Sequence, residues 1–145
     1  MKTIIPFLIL FITLSCKQNE EKQIIIEDQI PKINKVDQTI LKTFTYEDIA
    51  RYTMASIMGQ PPKIITAIKK ENFFYVSYIR KSDKKKFDYK IRFNGDTILW
   101  ANIDGKWRDS QYDEKISFIE KNNIISIIQI FSDGSRDIQE YKKGD

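Results

Sequence analysis

Residues 86–100 read KFDYKIRFNGDTILW. Phe87, Tyr89, Ile91 and Phe93 alternate with Lys86, Asp88, Lys90 and Arg92. A period of two is the mark of a strand with one face in a core and the other in solvent. Asn94-Gly95 then supplies a turn before the apolar residues resume, which is a hairpin signal. Taking Asn94-Gly95 as the two central residues places Phe93 opposite Asp96, Ile91 opposite Ile98 and Tyr89 opposite Trp100.

The same punctuation recurs downstream. Asp104-Gly105 and Asp133-Gly134 are hairpin signals, and Asn122-Asn123 is a weaker one. Upstream, KIITAIKK (63–70) and NFFYVSYIRK (72–81) read as further strands. IISIIQIF (124–131) is apolar at both parities, so it is expected to be the most buried strand. A two-residue turn at Asp104-Gly105 would set Ile103 against Lys106, Asn102 against Trp107 and Ala101 against Arg108.

Register assigns faces. One face would gather Phe87, Tyr89, Ile91, Trp100 and Trp107, and a helix should cover it. The other would gather Lys86, Lys90, Arg92, Lys106 and Arg108, relieved by Asp88. With only the small Ala101 between them, Arg108 would reach across to Asp88. This basic face is a candidate surface for an anionic partner, through Lys86, Lys90, Arg92 and Arg108.

FTYEDIARYTMASIMGQPP (44–62) changes the period to that of a helix. Thr45 is an N-cap, Asp48 favours the positive helix end, and Phe44 with Ile49 has the spacing of a hydrophobic staple. Tyr46, Ile49, Ala50, Thr53, Met54 and Ile57 share a face. Gly59 ends the helix and Pro61-Pro62 prevents its resumption. The fold expected is α+β: one N-terminal helix packed on an antiparallel meander of about seven strands, over residues 44–145.

Composition narrows the chemistry. The 145-residue chain has no histidine and one cysteine. Ser-His-Asp and Cys-His nucleophile systems, Cys/His zinc sites and internal disulfides are therefore excluded. A formal charge of +4 hides an uneven distribution. Residues 63–92 carry ten Lys or Arg and three acids, whereas 93–145 carry seven and ten. There is no Gly-rich phosphate loop or EF-hand spacing, so no metal and no cofactor are expected.

WANIDGKWRDSQYDE (100–114) concentrates aromatics, Arg and acids, the residue types of interface hot spots together with the charges that rim them. Trp107, Arg108, Asp109, Tyr112 and Asp113 are the candidate binding residues, forming a rim if the strand from Lys106 frays after Arg108. Asp109, Asp113 and Glu114 raise the alternative of a small carboxylate-dependent hydrolase. Catalysis is not the expectation, because loop acids at this spacing are commonplace.

The N-terminus states an address. After Met1-Lys2, residues 4–14 are apolar apart from Thr13, too short for a bilayer core that needs about 20 residues. A charged start, a short apolar core and a small residue before the break describe an export signal over 1–15. Ser15-Cys16 resembles the lipobox of bacterial lipoproteins, with Thr13 where a Leu is usual and Leu14 displaced by one. The resemblance extends to lipoproteins of the Bacteroidetes, whose cysteine is followed by an acidic-polar run like KQNEEK. It implies that Cys16 is lipidated, that 16–43 carry the lipid and a tether, and that the domain sits at the cell envelope. The expected place is the outer membrane, facing periplasm or cell surface.

The partners expected are the lipid bilayer through Cys16 and an envelope protein or anionic surface ligand, but not nucleic acid. The expected role is binding. Alternatives are a protective lipoprotein of the immunity, inhibitor or exclusion type, the hydrolase, and an accessory subunit of an envelope complex.

Overall fold

The computed structural model describes residues 40–145. The expected signal peptide, Cys16 and most of the expected tether lie outside them. Helix α1 (Tyr46–Met58) and a 3-10 turn (Pro62–Ile64) precede seven strands. These are β1 (Ile65–Lys69), β2 (Phe74–Ile79), β3 (Lys86–Asn94), β4 (Thr97–Asn102), β5 (Lys115–Lys121), β6 (Ile124–Ile130) and β7 (Arg136–Lys142). All neighbours are antiparallel and the strand order is the chain order. The helix touches β1 and β2 at one end of that order and β6 near the other, so the sheet curls around it. This is the α+β arrangement expected from the sequence.

Local signals explain the helix. Thr45 Oγ1 accepts from the Asp48 backbone N–H, and the Asp48 carboxylate accepts from Thr45 N–H, closing a capping box. Phe44 and Ile49 are both buried, as a staple requires. Gly59 ends the helix at φ +60, a left-handed conformation that costs glycine nothing. Besides the anticipated face, Tyr52 is fully buried; its ring stacks on Tyr141 at 4.7 Å and its hydroxyl donates to Lys142 O at 2.9 Å. That contact ties the helix to the last strand.

Turn chemistry moves the register from its expected place. Asn94 pairs with Thr97, Phe93 with Ile98 and Ile91 with Trp100. The central residues are thus Gly95 and Asp96, with Gly95 carrying the positive φ at the first position. The pairing shifts by two residues, and a shift of two keeps every side chain on its face. Asn122 and Asn123 both take positive φ, as the expected two-residue turn demands. At 131–135 the loop is longer than expected: Phe131 N–H donates to Ser135 O, and Gly134 alone takes the positive φ.

The larger correction lies between β4 and β5. No strand begins at Lys106; residues 103–114 form a connection. Gly105 N–H closes a turn onto Asn102 O, and Arg108 N–H reaches Trp100 O at 3.1 Å. Relative to the expected pairing of Ala101 with Arg108, this is a slip of one residue, and a slip of one exchanges the faces. β4 meets β5 only through Thr97–Ser117 and Ile98–Ile116.

The core joins the helix face to Val76, Tyr78, Tyr89, Ile91, Ile98, Ile116, Phe118, Ile125 and Ile127. β6 is the one strand with no exposed residue, as its composition led one to expect. Residues just ahead of 44 also contact the domain. Leu41 packs against the core, while Lys42 and Thr43 N–H groups donate to the Glu120 carboxylate at 2.9 and 2.7 Å. Partial burial works against ionisation of Glu120, but these backbone donors prevail and hold its carboxyl below the ordinary glutamate value.

Candidate functional site

Glu114 organises the 103–114 connection. Its side chain is 10% exposed, accepting from Trp100 Nε1 at 2.8 Å through one oxygen and from Arg108 Nη2 at 2.8 Å through the other. The Arg108 guanidinium lies over the Trp100 ring at 4.9 Å and reaches Asp113 at 3.3 Å. Burial pushes the Glu114 carboxyl upward, yet the Arg108 and Trp100 hydrogen bonds outweigh it and the net effect is downward. Asp113 is held low first by the Ser110 hydroxyl and backbone N–H, then by the nearby charge of Arg108. Glu114 in turn raises Arg108. The loop is thus held by its own charges.

Successive residues of this loop straddle the edge of β4. Trp107 lies on the convex face, within 4.7 Å of the Arg92 guanidinium and 5.1 Å of Lys90 Nζ. Ala101, opposite Lys90, is only 1% exposed, so the convex face is covered at that point, and Trp107 is the large side chain beside it. Asp109 approaches Arg92 at 4.0 Å. Arg108 lies on the concave side with Trp100, where the core is. Both assignments reverse the expected ones: Trp107 is not under the helix, and Arg108 does not join the basic face.

The expected ion pair between Asp88 and Arg108 is consequently absent. Asp88 instead binds Lys86 at 2.9 Å and accepts the Tyr75 hydroxyl, which also bonds Lys86 Nζ. Tyr75 first and Lys86 second hold Asp88 below its ordinary range. Hydrogen bonding to Tyr75 and then Asp88 pushes Lys86 up to about 12. Of the four cations assigned to an anionic-partner surface, Lys86 is engaged, Arg108 faces elsewhere, and Lys90 and Arg92 remain with Trp107 as a short ledge.

The five candidate binding residues therefore divide. Trp107 and Asp109 belong to the ledge, Arg108 and Tyr112 border a concave cleft on the other side, and Asp113 braces Arg108. Tyr112 is 78% exposed. Sequence reasoning missed Glu114 as the organiser and missed the cleft residues of β6 and β7. One signal was present: Gln129 is the single amide in the apolar run of 124–131.

Elsewhere on the convex face Ile128 pairs with Ile138, and Ile119 and Ile138 are each 53% exposed. Among the described residues no group of three or more His, Cys, Asp or Glu could hold a metal ion, and no helix is long and apolar enough to cross a membrane. Comparison with known proteins finds no matching family model, no matching curated protein and no matching solved structure.

Proposed function

We propose that the chain is an envelope lipoprotein, anchored through Cys16 at the outer membrane, whose domain binds a partner through residues 100–114. The observation that carries this reading is the ledge, where a Trp indole flanked by Lys90 and Arg92 stands on the convex face rather than in the core. Trp and Arg are among the residue types enriched at interface hot spots, and a cation over an indole face is attracted to it. The partner chemistry it fits is an envelope protein or surface ligand bearing anionic groups.

The incoming chain and the 103–114 connection meet opposite ends of β5. Lys42 and Thr43 are fixed to Glu120, and Thr43 Oγ1 donates to Asn123 at the β5–β6 turn. Residues 103–114 adjoin the opposite end of β5, about 20 Å away at strand spacing.

The hydrolase alternative draws less support. Asp113 and Glu114 are held low by Ser110, Arg108 and Trp100, which favours fixed acceptors over proton donors. The protective alternative shares the ledge and differs only in the partner. The accessory-subunit reading has its own observation in the exposed isoleucines of β5 and β7.

Capture from intact envelopes by the full chain tests the proposal. Trp107→Ala should lose the partner while melting remains cooperative and near the parent temperature. Retained capture, or an unfolded variant, would remove Trp107 from the site. Cys16→Ser should move the protein from membranes to the soluble fraction, and unchanged membrane association would refute lipidation.

A further inference from the structure

On the concave side, between the 103–114 connection, the end of α1 and strands β6 and β7, lies a cleft of about 500 Å³, within the usual range of small-ligand sites. Its walls come from five elements. Ser56 projects from the last turn of α1, Gln129 and Asp137 are a cross-strand pair on β6 and β7, Phe131 starts the β6–β7 loop, and Arg108 and Tyr112 belong to the 103–114 connection.

These polar groups are fixed before any ligand arrives. Gln129 is 5% exposed, and its Nε2 donates to Ser56 Oγ at 2.9 Å. Arg108 spends only Nη2 on Glu114 and Asp113, so among the described residues Nε and Nη1 are uncommitted donors on a braced guanidinium. Asp137 accepts from the Gln139 amide at 3.1 and 3.2 Å and has no cationic partner among the described residues. Two aromatic rings, Tyr112 and the 41% exposed Phe131, border the opening.

Such a site asks for a ligand with an apolar face and several hydroxyls that both donate and accept. It disfavours an anion. The charge of Arg108 is already offset by Glu114 and Asp113, and a negative group would meet Asp137. A pyranose ring offers that chemistry: a C–H face suited to an aromatic ring, and hydroxyls that accept from a guanidinium and donate to a carboxylate. We propose that this cleft binds a neutral saccharide. The proposal rests on a different observation from the ledge, which lies on the other face and is read by partner capture, although Arg108 and Tyr112 belong to the same 100–114 segment.

Saturation-transfer NMR on the full chain with maltose, chitobiose and glucuronic acid as probes tests it. Ring C–H protons of at least one neutral disaccharide should receive saturation, with glucuronic acid weaker by about tenfold, or 1.4 kcal/mol. Tyr112→Ala and Asp137→Asn should each weaken binding by about tenfold, and both are surface changes that leave the core alone. Absence of transfer from both disaccharides at about 20 mM, a preference for glucuronic acid, or indifference to both substitutions would overturn the proposal.

Discussion

Phe118→Ala is expected to lower the unfolding free energy by about 3–5 kcal/mol, a large share of the roughly 5–15 kcal/mol available to a domain. Phe118 is 1% exposed, and its ring meets Phe93 at 5.9 Å and Tyr46 at 6.2 Å, both edge-on. It therefore joins β5, β3 and the first turn of α1 at one point. It also sits beside the weakest seam of the sheet, where β4 and β5 share two residue pairs and Phe118 N–H bonds Asp96 O. A cavity there is poorly placed to collapse, because the surrounding rings are held by one another. Chemical denaturation should show a lower midpoint with the slope unchanged. A loss under about 1 kcal/mol would mean that the seam relaxes and that Phe118 is not the joint described.

Glu114→Ala should cost about 1–3 kcal/mol and disorder the 103–114 connection, because it strands two donors at once. Trp100 Nε1 loses its acceptor at 2.8 Å, and Arg108 loses the carboxylate that holds it on the indole. Glu114→Gln separates the contributions: an amide oxygen still accepts from Trp100, but the charge opposite Arg108 is gone. The pH dependence has a definite sign. A carboxyl held below its unfolded value adds stability above that value, and the contribution fades as pH falls through the folded one. Between neutral pH and the ordinary glutamate range the parent should exceed Glu114→Gln in stability, and the gap should close toward strong acid. A gap that widens on acidification would show that the carboxyl is raised, not lowered, and would revive the hydrolase reading.

What could be read in the chain depended on how local its cause was. Thr45, Asp48 and Gly59 act within a few residues of themselves, so the helix was legible to its caps. Strict alternation over 86–93 gave the sheet faces, and they survived a register error at Asn94-Gly95 because that error was even. Asp104-Gly105 misled. It has the composition of a hairpin turn, but the bond from Gly105 N–H to Asn102 O and that from Arg108 N–H to Trp100 O set a slip of one. Trp107 and Arg108 therefore exchanged faces. Glu114 settles that competition with Trp100 and Arg108, fourteen and six residues back, and nothing in the spacing of the acids announced it.

By itself the sequence determined the α+β class, the boundaries and caps of α1, the core-facing parity of β3 and β4 and the exclusion of histidine chemistry and internal disulfides. Each follows from periodicity, local hydrogen bonding or the absence of a residue type. Only the tertiary structure decided on which side of β4 Trp107 and Arg108 stand, that Ser56, Gln129 and Asp137 share a cleft, and that Glu120 holds the incoming chain. The physical reason is that side chains on a sheet change face with every single residue of register. Where the turn does not impose that register, contacts between residues far apart in the chain must.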